Sequence, residues 1–110
     1  MIQVRRKAAD HWRNGSFLMA MRSGRKLRVR AHVYGRWAAH RRLPTGGWRV
    51  SETTTGMSTA LLADGLSEDD AKRIARLLAE RVPEICLEGL RVGGWEGHII
   101  EATIAEVLSP

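Results

Sequence analysis

The chain has 110 residues, 44% of them hydrophobic and 27% charged, with a formal charge of +6 at pH 7. That length fits one domain with one modest core. No apolar run reaches the roughly 20 residues that cross a bilayer, and a single cysteine, Cys86, excludes an internal disulfide. The basic N-terminus lacks the apolar stretch of a secretory signal, so a cytoplasmic location without a membrane partner is expected.

Charge is distributed unevenly. Residues 1–50 hold thirteen Lys and Arg against one acid, Asp10, a net +12, whereas residues 51–110 hold five against eleven, a net −6. A block of one sign draws counter-charge from a polyanion or from the other half of the protein. A homodimer pairing the basic half of one copy with the acidic half of another is a further outlet.

In chain order, residues 4–12 with Ala8 and Ala9, followed by Asn14-Gly15, predict a short N-terminal helix. Phe17, Met19 and Met21 then alternate with Leu18, Ala20 and Arg22, and Ser23-Gly24 marks a hairpin turn. Leu27, Val29, Ala31 and Val33 alternate with Arg28, Arg30, His32 and Tyr34. That is a strand with one buried face and one wet, cationic face bearing an aromatic. Gly35 predicts a bend or bulge, after which residues 36–42 continue the sheet and residues 44–47 turn. Trp48, Val50 and Glu52 belong to another strand, and residues 58–63 to a short fourth.

Ser67 before Glu68, Asp69 and Asp70 has the capping residue and acidic first turn of a helix. Ala71, Ile74, Ala75, Leu77, Leu78 and Val82 form its apolar stripe, with Lys72, Arg73, Arg76 and Glu80 outside, and Pro83 ends it. After Gly97, Ile100, Ile104, Val107 and Leu108 recur at helical spacing, although the β-branched content also fits a strand; helix is preferred. The expected class is α+β in one domain, residues 1–110. Its three- to four-stranded antiparallel sheet has one face covered by the helix at 67–82, with short N-terminal and C-terminal helices.

The candidate binding residues are Arg22, Arg25 and Lys26 at the hairpin tip and Arg28, Arg30, Arg36, Arg41, Arg42 and Arg49 on the sheet, with Tyr34 stacking. Arginine's planar fork suits phosphate oxygens and base edges, and aromatics interleaved with cations suit nucleic acid. The competing account is a solvated face whose arginines pair with the acidic half. Trp12, Trp37, Trp48 and Trp95 fit packing better than ligand stacking.

Nothing points to catalysis, a metal or a cofactor. His11, His32, His40 and His98 lack metal-ligand spacing, and Gly46-Gly47 and Gly93-Gly94 match no phosphate loop. Cys86, between Ile85 and Leu87, reads as a small buried hydrophobe. Glu68, Asp69 and Asp70 are accounted for by the helix dipole.

The run Tyr34-Gly35-Arg36-Trp37-Ala38-Ala39-His40-Arg41-Arg42, continued by Leu43-Pro44-Thr45-Gly46-Gly47-Trp48-Arg49-Val50-Ser51-Glu52-Thr53-Thr54-Thr55-Gly56 and the capped helix, resembles small accessory proteins of phages and plasmids. Inhibitors of bacterial defence, including anti-CRISPR proteins, are found among them. The strands-then-helix order is also similar to the three-stranded DNA-binding modules of phage integrases and to the double-stranded-RNA-binding domain. Glu68, Asp69 and Asp70 stand where the latter has a lysine-rich helix start. The likeness covers residues 26–82 and transfers no functional residue.

Two functions are expected. The first is a non-enzymatic domain that contacts nucleic acid, or a nucleoprotein complex, through the arginine-rich sheet face. The second, implied by the resemblance, is a mobile-element inhibitor or adaptor that binds a larger protein machine.

Overall fold

The computed structural model describes residues 12–21, 23–42, 46–59, 64–82 and 95–109, with only the backbone at 95 and 96. Strands β1 (Arg13–Ala20), β2 (Lys26–Tyr34), β3 (Trp37–Arg41) and β4 (Trp48–Glu52) form one antiparallel sheet in the order β1-β2-β3-β4. Helices α1 (Glu68–Arg81) and α2 (Trp95–Leu108) follow. The α+β class and the meander are as the sequence predicts. Among the described residues, no helix is long and apolar enough to cross a membrane.

Two sequence expectations change at the strand boundaries. Gly35 with Arg36 is a complete two-residue hairpin turn rather than a bend, because Tyr34 pairs with Trp37 and residues 37–41 return as a separate strand. Gly35 has φ +63° and, among the described residues, no non-glycine residue, Arg36 included, has positive φ, the pattern of a type II′ turn. At the start, Asn14 and Gly15 lie inside β1 and end no helix. The rest of that expected helix, residues 4–11 with His11, falls outside the described residues. So do Arg22, residues 43–45 and 60–63, Pro83, Cys86 and Gly93-Gly94. Of the expected strand at 58–63, Ser58 makes an isolated bridge to Ser51.

Cross-strand pairs share a face, so the register sorts the sheet. One face presents Tyr34, Trp37, Ala39 and Val50 to α1, whose Ala71, Ile74, Ala75 and Leu78 are buried against them. Ser67 caps α1 by accepting the Asp70 amide at 3.1 Å, as its spacing predicts. Trp37 is fully buried and its indole N–H donates to the Val82 carbonyl at 3.1 Å, tying the sheet to the end of α1. Ile100, Ile104 and Val107 of α2 complete this core. Leu108, expected in the same stripe, is exposed. Arg81 holds the two helices together, donating to Thr103 Oγ1 at 3.0 Å and pairing with Glu106 at 3.0 Å.

The other face buries Phe17, Val29, Ala31, Val33 and Ala38; Leu27, further out along β2, is exposed. The chain after β4 returns along that strand's outer edge, with Glu52 N–H donating to Met57 O and Thr59 N–H to Val50 O. It then meets β1, where Ala20 N–H donates to Gly56 O at 2.8 Å. The two ends of the sheet order are thereby brought together. A Cβ on Gly56 would lie 2.3 Å from Leu18 O, at φ +76°, so only glycine permits the approach.

Inside this roll His40 is 1% exposed. Its Nδ1 lies 3.0 Å from the Arg41 carbonyl oxygen, which only accepts, so Nδ1 carries the proton and Nε2 accepts from the Ser51 hydroxyl at 2.8 Å. Burial, followed by the Arg49 charge, holds its pKa below the ordinary 6.5; the carbonyl bond and Asp64 oppose this without prevailing.

This packing is testable at Gly35, Gly56 and His40. Gly35→Ala should destabilise by about 1–3 kcal/mol in urea unfolding, since its Cβ meets Ala79 Cβ at 3.1 Å. Gly56→Ala, blocked by backbone, should cost more; a wild-type midpoint for Gly56→Ala would contradict the closure described. Because the folded pKa of His40 is depressed, its stabilising contribution is complete above the unfolded value near 6.5 and is lost as pH falls through the folded one. Melting temperature should therefore drop between about pH 7 and pH 5, and His40→Gln should flatten that interval.

Candidate nucleic-acid interface

β2 uses its two edges unequally. It pairs with β1 from Arg13↔Val33 to Ala20↔Lys26, but with β3 only from His32↔Ala39 to Tyr34↔Trp37. The Tyr34–Trp37 turn makes the even-numbered residues of β2 the ones whose backbone faces β3. The Met21 N–H to Arg25 O bond confirms that odd positions face β1. Beyond His32, β2 and β3 diverge, leaving the edge N–H and C=O groups of Arg30 and Arg28 without a strand partner among the described residues. Continued register would have set Arg30 opposite Arg41.

A concavity of about 870 Å³ occupies this fork, lined by Arg28, Arg30, His32, Arg41 and Trp48, with Asn14 and Ser16 from β1. Each cation has a structural reason to be there. Arg28, Arg30 and His32 are alternate residues of β2 on the face that carries α1, past the end of the helix's coverage. Arg41 and Trp48 are a cross-strand pair of β3 and β4, with the guanidinium carbon 5.9 Å from the indole centroid. The His32 ring stacks on Trp48 at 5.7 Å and 15°. Its Nδ1 donates to Asn14 Oδ1 at 2.9 Å, and Arg28 donates to Ser16 Oγ at 3.0 Å.

Two carboxylates just before and within the first turn of α1, Asp64 and Glu68, meet the basic half, and both are engaged. Glu68, in the first turn of α1, pairs with Lys72 at 3.0 Å and lies 3.6 Å from His32 Nε2. The Lys72 bond is the main reason its pKa is lowered. Asp64 accepts two bonds from Arg49, at 3.1 and 3.0 Å, and pairs with Arg42 at 3.1 Å. The Arg49 bond is the main cause of its depressed pKa.

The predicted residues therefore divide. Arg28, Arg30 and Arg41 line the cleft and form no salt bridge among the described residues, although the Arg41 charge helps to lower the Glu68 pKa. Arg25 and Lys26 are exposed at the hairpin tip. Arg42 and Arg49 are bound to the acidic half, and Arg36 sits at the β2–β3 turn, at the far end of β2. Arg22 lies outside the described residues. Tyr34, expected on the wet face to stack a base, is 3% exposed and packs under α1 with Trp12 edge-on at 4.8 Å. The alternation rule places Tyr34 on the arginine face correctly, but the helix covers that end of the face. Asn14 and Ser16 were missed as cleft residues, while His32, placed on the cationic face, and Trp48, read chiefly as a packing residue, were not counted as binding residues; only the β1–β2 register, which sets Ser16 opposite Arg30, reveals the first two.

Asp64→Asn tests the partition of arginines. It should cost about 1 kcal/mol or less of stability, the scale of a partly exposed ion pair. By releasing Arg42 and Arg49 it should also raise the salt concentration at which the protein elutes from heparin. Unchanged elution would mean that those two side chains are not available to a polyanion even when unpaired.

Comparison with protein-family models, curated proteins and solved structures returned no match.

Proposed function

We propose that this chain is a non-enzymatic domain that binds nucleic acid, alone or within a nucleoprotein complex, through the fork between β2 and β3. One observation carries the reading: Arg28, Arg30 and Arg41 share a cleft whose lining residues include no carboxylate. Alternate positions of one strand stand about 6.8 Å apart along the backbone, so their arginines form a ladder suited to successive phosphates of one backbone. The stacked His32–Trp48 pair supplies a planar wall at its end.

A second reading, a protein-binding inhibitor or adaptor of mobile-element type, is favoured by the open edge of β2, since an unpaired edge is a template for an added strand.

Fluorescence anisotropy with labelled DNA and RNA, single-stranded and duplex, separates the two. Affinity for at least one probe should fall steeply with salt, by about 0.7–0.9 log units per log unit of salt for each phosphate engaged. The triple variant Arg28→Gln, Arg30→Gln, Arg41→Gln should bind at least tenfold more weakly with a flatter slope. Arg36→Gln, away from the cleft, should bind as wild type. Failure of every probe to bind in a salt-dependent way, together with a stoichiometric protein complex that survives nuclease, would replace the first reading by the second.

A further inference from the structure

The edge of β2 that faces the fork differs chemically from the rest of the sheet. Arg28 and Arg30 each turn a backbone N–H and C=O to this edge, and both residues line the concavity, the Arg28 guanidinium reaching Ser16 Oγ at 3.0 Å on the β1 side. Resting on the nucleic-acid reading, we propose that the fork is a site for single-stranded nucleic acid. On the order of three nucleotides would enter, one phosphate per guanidinium of Arg28, Arg30 and Arg41. The edge amides and carbonyls of Arg28 and Arg30 would meet the edges of the bases.

Three features select the single strand over the duplex. Peptide donors and acceptors at an open strand edge can match Watson–Crick base edges, which are free in single strands and consumed in a duplex. The space is about 870 Å³, the size of a small-ligand cleft. A single strand can bend to fill a space of that size, whereas a duplex, stiff over many base pairs, would bring only an outer backbone to it. Planar groups line it as well: three guanidiniums and the His32–Trp48 stack, whose centroids lie 5.7 Å apart. Planar surfaces suit unstacked bases, whereas an acidic peptide strand, the other chain an open edge can take, has no group that needs them.

Ligand entry is also favoured by what it removes. Arg30 and Arg41 line the same cleft, whose lining residues include no carboxylate, and a phosphate held between two guanidiniums there replaces like-charge repulsion by two charge-assisted bonds.

The test compares a ten-nucleotide single strand of mixed sequence, as DNA and as RNA, with the corresponding duplexes. Nuclear magnetic resonance of the backbone amides accompanies the affinities. Single strands should bind at least tenfold more tightly than duplexes, with a log–log salt slope near −2, about −0.7 for each of three phosphates. The Arg28 and Arg30 amide protons, fast-exchanging in the free protein, should shift and become protected on saturation. Arg30→Lys, which keeps the charge and the strand edge, should retain more affinity than Arg30→Gln. Duplex binding as tight as single-strand binding would overturn this inference and leave the proposed function standing. Single-strand binding without any change at the two amides would overturn the edge assignment. An alternating Glu-Val peptide that protects those amides and displaces the oligonucleotide would make the fork a strand-addition site instead.

Discussion

The structure depends on where β2 stops pairing with β3. Had the ladder continued past His32 and Ala39, the next hydrogen-bonded pair would have been Arg30 opposite Arg41, and like charges directly opposite are unfavourable. Two unit charges about 6 Å apart repel by about 0.7–2.8 kcal/mol at effective dielectric constants between 80 and 20. The two ladder bonds given up are worth about 1–3 kcal/mol together. The terms are comparable, so the ladder can end here at little net cost. Packing settles the place: Trp37 and Ala39 must lie beneath α1, while arginines cannot follow them into an apolar core without partners. The fork, the cleft and the free edge of β2 all descend from that single change.

The same division explains how a chain of such uneven charge folds as one unit. Among the described residues, the acidic second half does not blanket the basic first half. It touches it at Asp64, which secures Arg42 and Arg49 beside β4, and at Glu68, which reaches His32 from the helix start. Both acids lie at the entrance to α1, so they fix where the helix lands on the sheet. The arginines left over are those past the helix's reach. Inside the roll, the one buried imidazole stays neutral between a carbonyl and a hydroxyl, so the second core carries no uncompensated charge there. Glu52 is the contrasting case. It is fully buried and its Oε1 accepts from the Thr55 amide and hydroxyl at 2.7 and 2.8 Å, shaping the turn after β4.

Much of this was legible in the residues. The strict alternation of 27–34 fixed β2 and its two faces, and the Ser67 cap with the stripe from Ala71 to Leu78 fixed α1 almost to the residue. The arginine-rich face was equally plain. What the alternation could not supply was the third dimension of that face. One end lies under a helix, which removes Tyr34 from solvent, and the other opens into a fork. Gly35 was recognised as a break, yet a bend and a two-residue reversal use the same residue; only the pairing of Tyr34 with Trp37 distinguishes them. Asn14 and Ser16 carried no signal of their own, being ordinary polar residues until the hairpin register sets them beside His32 and Arg30.

Gly56 has a consequence for how copies of the protein behave toward one another. By holding the chain against Ala20 it covers part of the outer border of β1, while the Met57–Thr59 stretch covers that of β4. Among the described residues, the border of β2 beyond His32 has no such cover and carries arginines instead. Cationic gatekeepers of this kind keep identical edges apart in dilute buffer, but their reach shrinks to about 8 Å at physiological ionic strength. Colloidal behaviour should thus turn on counter-ions: copies should stay apart when the arginines are bare, and be most prone to stack edge to edge when small polyphosphates or high salt mask them.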